Sequence, residues 1–373
     1  MRHPLQVLAL CLLFTFCCSE AVLAQPSEIT ASTKAPWSVG ANAYYGTLFR
    51  YRSGLSVLNF THPYAVEVYA NKHTIGKHNW ERQYNHPQVG FALSYYNYGV
   101  PVELGEAVSL TTYLDNTLLR FKKSSLRFNL GTGLVYSTRH YTPGVNEQNM
   151  AIGSKFTFAL RGTVRYEFPI KEHIYLNLNL AFRHFSNGAL NKPNNGMNFP
   201  LIGVGVRYQP REVRLLDVPD TTAALLDKRL RLNLRLAGGV KEVLRIDEKH
   251  PMYSLSVYAS KRLSQKSALL FGADGFYNTA VREEFINKSQ PVPDEVLDQS
   301  LSGVTVGHEL HLDKLSFVFQ LGRYVHQPYG LYPSYYQRYG LKYSLHQNVS
   351  AGVMLLAHTR SAHVIEWGFG LHL

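Results

Sequence analysis

His173-Ile-Tyr-Leu-Asn-Leu-Asn-Leu-Ala-Phe-Arg-His-Phe-Ser186 alternates apolar and polar side chains almost without interruption. Ile174, Leu176, Leu178, Leu180 and Phe182 fall on one parity, and Tyr175, Asn177, Asn179 and Arg183 fall on the other. Successive side chains of a strand point to opposite faces, so this spacing makes a sheet with one apolar and one polar face. A helix would gather its apolar residues three and four apart, and that pattern is missing here.

The same alternation recurs along the chain. Leu126, Phe128, Leu130, Leu134 and Tyr136 share one face. Phe156, Phe158, Leu160, Val164 and Tyr166 share another, opposite Thr157, Arg161, Thr163, Arg165 and Glu167. Leu230, Leu232, Leu234 and Leu236 alternate with Arg231, Asn233 and Arg235, and Ile365, Trp367, Phe369, Leu371 and Leu373 close the chain in the same way. A soluble sandwich also alternates, so strand length decides. These strands run about 9 to 12 residues, longer than the usual globular strand and matched to a tilted membrane crossing. The sequence therefore predicts an all-β, antiparallel transmembrane β-barrel. Closing the sheet removes edges that hydrocarbon cannot solvate. The polar face suits a watery or plugged lumen, and the tyrosines Tyr44, Tyr45, Tyr95, Tyr96, Tyr98, Tyr335, Tyr336 and Tyr339 fit interfacial girdles.

Counting from Trp37 to Leu373 gives about 16 strands in one barrel spanning residues 25–373, with no second domain. Short periplasmic turns are expected at 121–125, 168–172, 263–267, 312–314 and 346–348. Longer outer loops are expected at 47–62, 138–152, 187–198, 239–250 and 279–300. Two connections on the periplasmic side, 73–87 and 209–228, are too long for hairpins, and a miscount there would leave 14 strands.

Composition excludes several other classes. The chain has 373 residues and 3 cysteines, all at or before position 18, so neither a disulfide scaffold nor a cysteine-ligated metal site is expected. With 25 Tyr and 19 Phe it is poorly suited to disorder. No apolar run beyond the N-terminus approaches the roughly 20 residues of a spanning helix. Residues 1–24 read as an export signal: Arg2 and His3, an apolar run from Leu5 to Phe16, and Val22-Leu23-Ala24 before Gln25. Phe14-Thr15-Phe16 ahead of Cys17 is a poor lipidation signal, because Phe stands where a small residue is needed. An exported chain of this kind is expected in the outer membrane of a Gram-negative bacterium. The net charge of +12 is compatible with a phosphorylated, anionic lipid partner, and nothing in the pattern points to nucleic acid.

Three polar residues break the lipid-facing parity. Period two carries His184 and Ser186 onto the apolar face of their strand. Pro200, Ile202, Val204, Val206 and Tyr208 define the lipid face of the returning strand, and its parity extends back to Asn198. Polar groups on that face are costly. Together they suit acyl transfer, with Ser186 as nucleophile, His184 as general base and Asn198 orienting the imidazole. Backbone N–H groups of Asn187 and Gly188 would form an oxyanion hole. Interfacial His, Ser and Asn with no chemistry are the plainer alternative. The remaining histidines, His308 and His311 among them, read as interfacial or lumenal groups and not as metal ligands. No cofactor or metal is expected.

The stretch His184-Phe-Ser-Asn-Gly-Ala-Leu-Asn-Lys-Pro-Asn-Asn-Gly-Met-Asn198, with the glycine-bearing strand to Tyr208, resembles the active-site hairpin of the lipid A 3-O-deacylase (PagL) family, which is made of outer-membrane barrel hydrolases. The resemblance implies Ser186 as nucleophile and His184 as base; the family's acidic third member falls at Asn198. A second resemblance is to outer membrane phospholipase A, which has a His-x-Ser-Asn-Gly motif and an Asn at this spacing. Its acidic calcium position is Asn191 here, so no calcium is inferred. The resulting expectation is a serine esterase releasing an ester-linked acyl chain from lipid A or lipopolysaccharide. The alternatives are a phospholipase A-like activity, and a non-catalytic pore or structural barrel with a vestigial site.

Overall fold

The computed structural model describes residues 34–49, 61–217, 226, 228–244 and 248–373; the expected export signal over 1–24 lies outside them. Among these residues there are sixteen antiparallel strands, the number expected from the alternation. They close as two rings of eight instead of one ring of sixteen. The first ring contains β1 (Trp37–Gly46), β2 (Tyr64–His73), β3 (Gln88–Asn97), β4 (Glu106–Arg120), β5 (Ser125–Ser137), β6 (Phe156–Lys171), β7 (Ile174–Ser186) and β8 (Met197–Tyr208). The second contains β9 (Leu230–Lys241), β10 (His250–Arg262), β11 (Ser267–Asn278), β12 (Ser300–Leu312), β13 (Leu315–His326), β14 (Tyr335–His346), β15 (Val349–His358) and β16 (Ser361–His372).

The single barrel over 25–373 is thus replaced by two barrels. Strand β8 pairs back onto β1, from Val39 opposite Tyr208 to Gly46 opposite Leu201, so no edge is left for β9 to extend. Strand β16 likewise returns to β9, from Trp367 opposite Gly238 to His372 opposite Asn233. The long connection after Tyr208 conceals no strand among its described residues; it links the barrels. The other long periplasmic connection, after β2, carries a short helix, α1 (Asn79–Gln83). It also reaches the second barrel, where Tyr84 Oη donates to the His311 carbonyl at 2.8 Å and Gln83 bonds Gln265.

An eight-stranded ring leaves an interior that side chains fill. In the first barrel Glu67 accepts from Asn42 (2.9 Å) and Ser94 (3.0 Å), and pairs with Arg161 at 3.0 Å and Arg183 at 3.6 Å. Asp115 pairs with Arg127 at 2.7 Å and Arg165 at 3.2 Å, and Glu167 with Arg207 at 2.7 Å. In the second barrel Arg338 bridges Asp274 at 2.9 Å and Glu366 at 2.8 Å. These charges are buried, and each survives there because it has an opposite partner. A cavity in the second lumen, beside Arg235, Gln320 and Lys342, holds about 20 Å³, room for about one water. Among the described residues, buried side chains such as Arg161, Arg165, Arg183 and Arg338 occupy both lumens.

The narrow first lumen also explains Gly203 and Gly205. A Cβ on Gly205 would lie 1.9 Å from Asn42 Oδ1, and one on Gly203 would lie 2.4 Å from the Tyr44 ring. Both glycines face the lumen across the β1–β8 closure and make room for those side chains.

The outer surface is apolar over both rings, with Val68, Leu93, Leu134, Leu180, Ile202, Leu236, Val257, Val306 and Phe369 exposed. A continuous band of this kind is a lipid-facing surface. The tyrosine girdle is thinner than expected. Tyr45, Tyr335 and Tyr339 are exposed, whereas Tyr44, Tyr96, Tyr98 and Tyr336 are buried. Neighbours on a strand point to opposite faces, so each Tyr-Tyr pair can give only one ring to the outside.

Because the first ring closes on itself, a chain ending at residue 217 is expected to fold alone. It should show heat-modifiable migration in gels and β-rich circular dichroism in detergent. Failure of this half to fold, with full-length protein folding normally, would count against two separate rings.

Candidate active site

Strands β7 and β8 form the hairpin whose loop, residues 187–196, lies at the end of the barrel opposite the short turns, which is the extracellular end. Beneath the loop, Phe185, Met197 and Phe199 point inward and are fully buried. The Phe185 and Phe199 rings meet at 5.5 Å, Tyr96 packs edge-on to Phe185 at 5.2 Å, and Tyr98 stacks on Phe199 at 5.4 Å. This aromatic plug stiffens the hairpin end. It also sets the parity that turns the intervening residues outward.

His184 stands directly opposite Asn198 in the β7–β8 register. Cross-strand neighbours of this kind have Cβ atoms close together, and His184 Nδ1 lies 2.8 Å from Asn198 Oδ1. With Nδ1–H donating to that carbonyl oxygen, Nε2 keeps its lone pair and can act as a base. His184 shares the parity of the exposed Leu180 and Phe182, whereas Arg183 is buried in the lumen on Glu67 and Thr163. All three residues read from the parity break therefore lie on the outer face at the extracellular rim.

Ser186 is half-buried two residues beyond His184. Its Oγ receives the Asn194 side-chain amide at 2.9 Å and the Gly188 backbone N–H at 3.3 Å. Among the described residues no hydrogen bond joins His184 to Ser186; residues two apart on one strand face are near enough for one to form as substrate binds. Of the two amides expected to form an oxyanion hole, Asn187 N and Gly188 N, one, Gly188 N, donates to Oγ. Asn187 N instead donates to Asn194 Oδ1 at 3.1 Å, which leaves it unavailable. Asn194 thus accepts from Asn187 through its oxygen and turns its NH₂ toward Ser186. It is thereby the second donor on Ser186 Oγ, beside Gly188 N.

Asn187 is a scaffold of the loop. Its side chain donates to Asn191 O at 3.0 Å and Ser154 Oγ at 3.2 Å, and accepts from Ala189 N at 3.1 Å. Gly188 and Ala189 both have left-handed backbone, with φ of 65° and 74°. Glycine takes this conformation freely, while alanine does so only when its surroundings hold it there. The loop at 138–155 adds support through Asn195 N to Met150 O at 3.2 Å and Gly196 N to Ala151 O at 2.8 Å. Asn194 was hidden in the sequence because its role depends on this folded loop. The run Asn194-Asn195, which ends three residues before Asn198, was the only signal available.

Comparison with known proteins agrees with the division into barrels. Residues 64–207 match the family described as lipid A 3-O-deacylase (PagL), and residues 230–373 match the family described as acyloxyacyl hydrolase, C-terminal domain. No curated protein matches the chain. Among solved structures, the chain is similar to the outer membrane enzyme PagL, with 15% identity over 44% of this chain and 97% of that one at a TM-score of 0.30. It is also similar to Neisserial surface protein A, with 10% identity over 46% and 96% of the two chains at a TM-score of 0.33. For Omp33 of Acinetobacter baumannii the values are 7% identity, 91% and 99% coverage, and a TM-score of 0.18. The fold and the family matches define an outer-membrane β-barrel protein of a Gram-negative bacterium. Within that class the chain is similar to the lipid A 3-O-deacylases over its first barrel and to the acyloxyacyl hydrolase C-terminal domain over its second.

The outward placement can be checked with thiols, since every native cysteine lies in the N-terminal 18 residues. In outer membranes, His184→Cys and Phe182→Cys should react with a membrane-permeant maleimide and Arg183→Cys should not. Labelling of Arg183→Cys alone would reverse the assigned parity.

Proposed function

We propose that the first barrel is a serine esterase that removes an ester-linked acyl chain from lipid A or lipopolysaccharide in the outer leaflet. The observation that carries this reading is a half-buried serine oxygen at the lipid-facing rim. It lies under two converging donors and two residues from a histidine oriented by Asn198.

Ser186 Oγ attacks the ester carbonyl carbon and passes its proton to His184 Nε2. The carbonyl oxygen becomes an oxyanion and takes over the hydrogen bonds from Gly188 N–H and Asn194 Nδ2. As the intermediate collapses, the bond to the alcohol oxygen breaks and His184 returns the proton to that oxygen. The acyl group is left on Ser186. Water then attacks the acyl-serine with the same base, releasing a fatty acid and restoring Ser186. Asn198 holds the imidazole in the Nδ1–H tautomer without adding negative charge, so the imidazolium is less stabilised than beside a carboxylate. This favours an ester over an amide, because an alkoxide is the easier leaving group.

An outward-facing site at the rim meets the outer leaflet directly, and the acyl chains of a lipid can lie along the apolar band below it. The family match over residues 64–207 supports lipid A as the substrate class.

Purified protein and Ser186→Ala are to be incubated with lipid A and separately with phospholipid, and the products read by mass spectrometry. The wild type should release one acyl chain from lipid A, and Ser186→Ala should lose at least about a thousandfold in rate. Release from phospholipid alone would assign a phospholipase A-like activity. Release from neither lipid would leave a non-catalytic barrel.

A further inference from the structure

On the outer face of β16, Trp367, Phe369 and Leu371 are 59%, 68% and 49% exposed, as expected for residues in lipid. Ile365 shares their parity and is only 8% exposed. What covers it is the site loop of the first barrel. A Cβ built on Gly188 would lie 2.3 Å from Ile365 Cδ1 and 3.8 Å from Leu355 Cδ1, so the Ile365 side chain sits directly on the Gly188 backbone. Leu355 is the cross-strand partner of Ile365 on β15.

A second contact lies one residue further along the loop. Glu242, at the end of β9, donates its backbone N–H to the Ala189 carbonyl at 3.0 Å. Its carboxylate accepts from Lys192 N at 3.2 Å and from Lys249 Nζ at 2.9 Å. Glu242 and Ala189 are both buried. The second barrel therefore grips the loop at Gly188, Ala189 and Lys192. Gly188 supplies one of the two donors on Ser186 Oγ, and Ala189 has the left-handed backbone that needs external restraint.

We propose that the second barrel is a positioning element for the esterase site, with Ile365 and Glu242 holding the Gly188 N–H where the oxyanion forms. This inference rests on the esterase reading. It gives the second barrel, which contributes no group that touches Ser186 or His184 among the described residues, a defined part in the reaction. A displacement of about 1 Å in a donor is enough to cost a large factor in rate. The contact acts on the transition-state donor and leaves the lipid-facing wall of the first barrel intact. Its loss therefore lowers kcat and leaves KM nearly unchanged.

The test uses full-length protein in detergent with lipid A as substrate, and hydrogen exchange over residues 187–192 as a second readout. Ile365→Ala and Glu242→Ala should each lower kcat about tenfold or more with KM within about twofold, and should speed exchange in the loop. Ile365→Leu and Glu242→Gln should restore most of the rate, since each keeps the bulk or the acceptor. Phe369→Ala, on the same face and away from the loop, should change nothing. Heat-modifiable migration confirms that each variant is folded. Unchanged kcat and unchanged exchange in both alanine variants would overturn the proposal while an active wild type upheld the esterase. An inactive wild type would overturn the esterase reading; exchange would then show separately whether the second barrel restrains the loop.

Discussion

Hydrocarbon offers no hydrogen bonds to a sheet edge, and the architecture follows from that constraint. Each strand needs a partner on both sides, so the sixteen strands must close. They do so at two seams, β1 with β8 and β9 with β16. Closure at eight strands sets a narrow lumen. The lumen in turn demands glycine opposite Asn42 and Tyr44 and opposite charges for every buried Arg. Polar side chains then fill the inside and apolar ones the outside. A His, Ser or Asn on the outer face near the rim consequently stands out against its neighbours.

The same closure decides how the halves relate. Among the described residues no strand of one ring pairs with a strand of the other, and the contacts between them join loops of the first ring to the second at the two ends. At the extracellular end these are Gly188 on Ile365 and Glu242 on Ala189. At the periplasmic end Tyr84 meets the His311 carbonyl and Gln83 bonds Gln265. The long connection after β2 is accounted for by this role. It is a bracket between barrels and too elaborate for a hairpin.

Alternation is a local property, and it made the strand number, the membrane-facing residues and the outward parity of His184, Ser186 and Asn198 readable from the sequence. Ring number is a property of distant pairing. Whether Tyr208 lies beside Val39 or its strand lies beside β9 leaves no trace in period two, and the long stretch after Tyr208 was the only hint. Within the site, the His184–Asn198 contact was readable because strand register implies it. The Asn194 amide and the burial of Ile365 were not. One depends on how a ten-residue loop folds back on itself, the other on a second barrel meeting that loop.

The proposed ester hydrolysis requires Ser186 to act as a nucleophile on the outer face of the first barrel. Treating outer membranes with a lipophilic fluorophosphonate and mapping the modified peptide tests it most directly. Stable phosphonylation at Ser186 is expected, with labelling much slower in His184→Ala. Absence of label at Ser186 in folded protein, or equal labelling with and without His184, would contradict it.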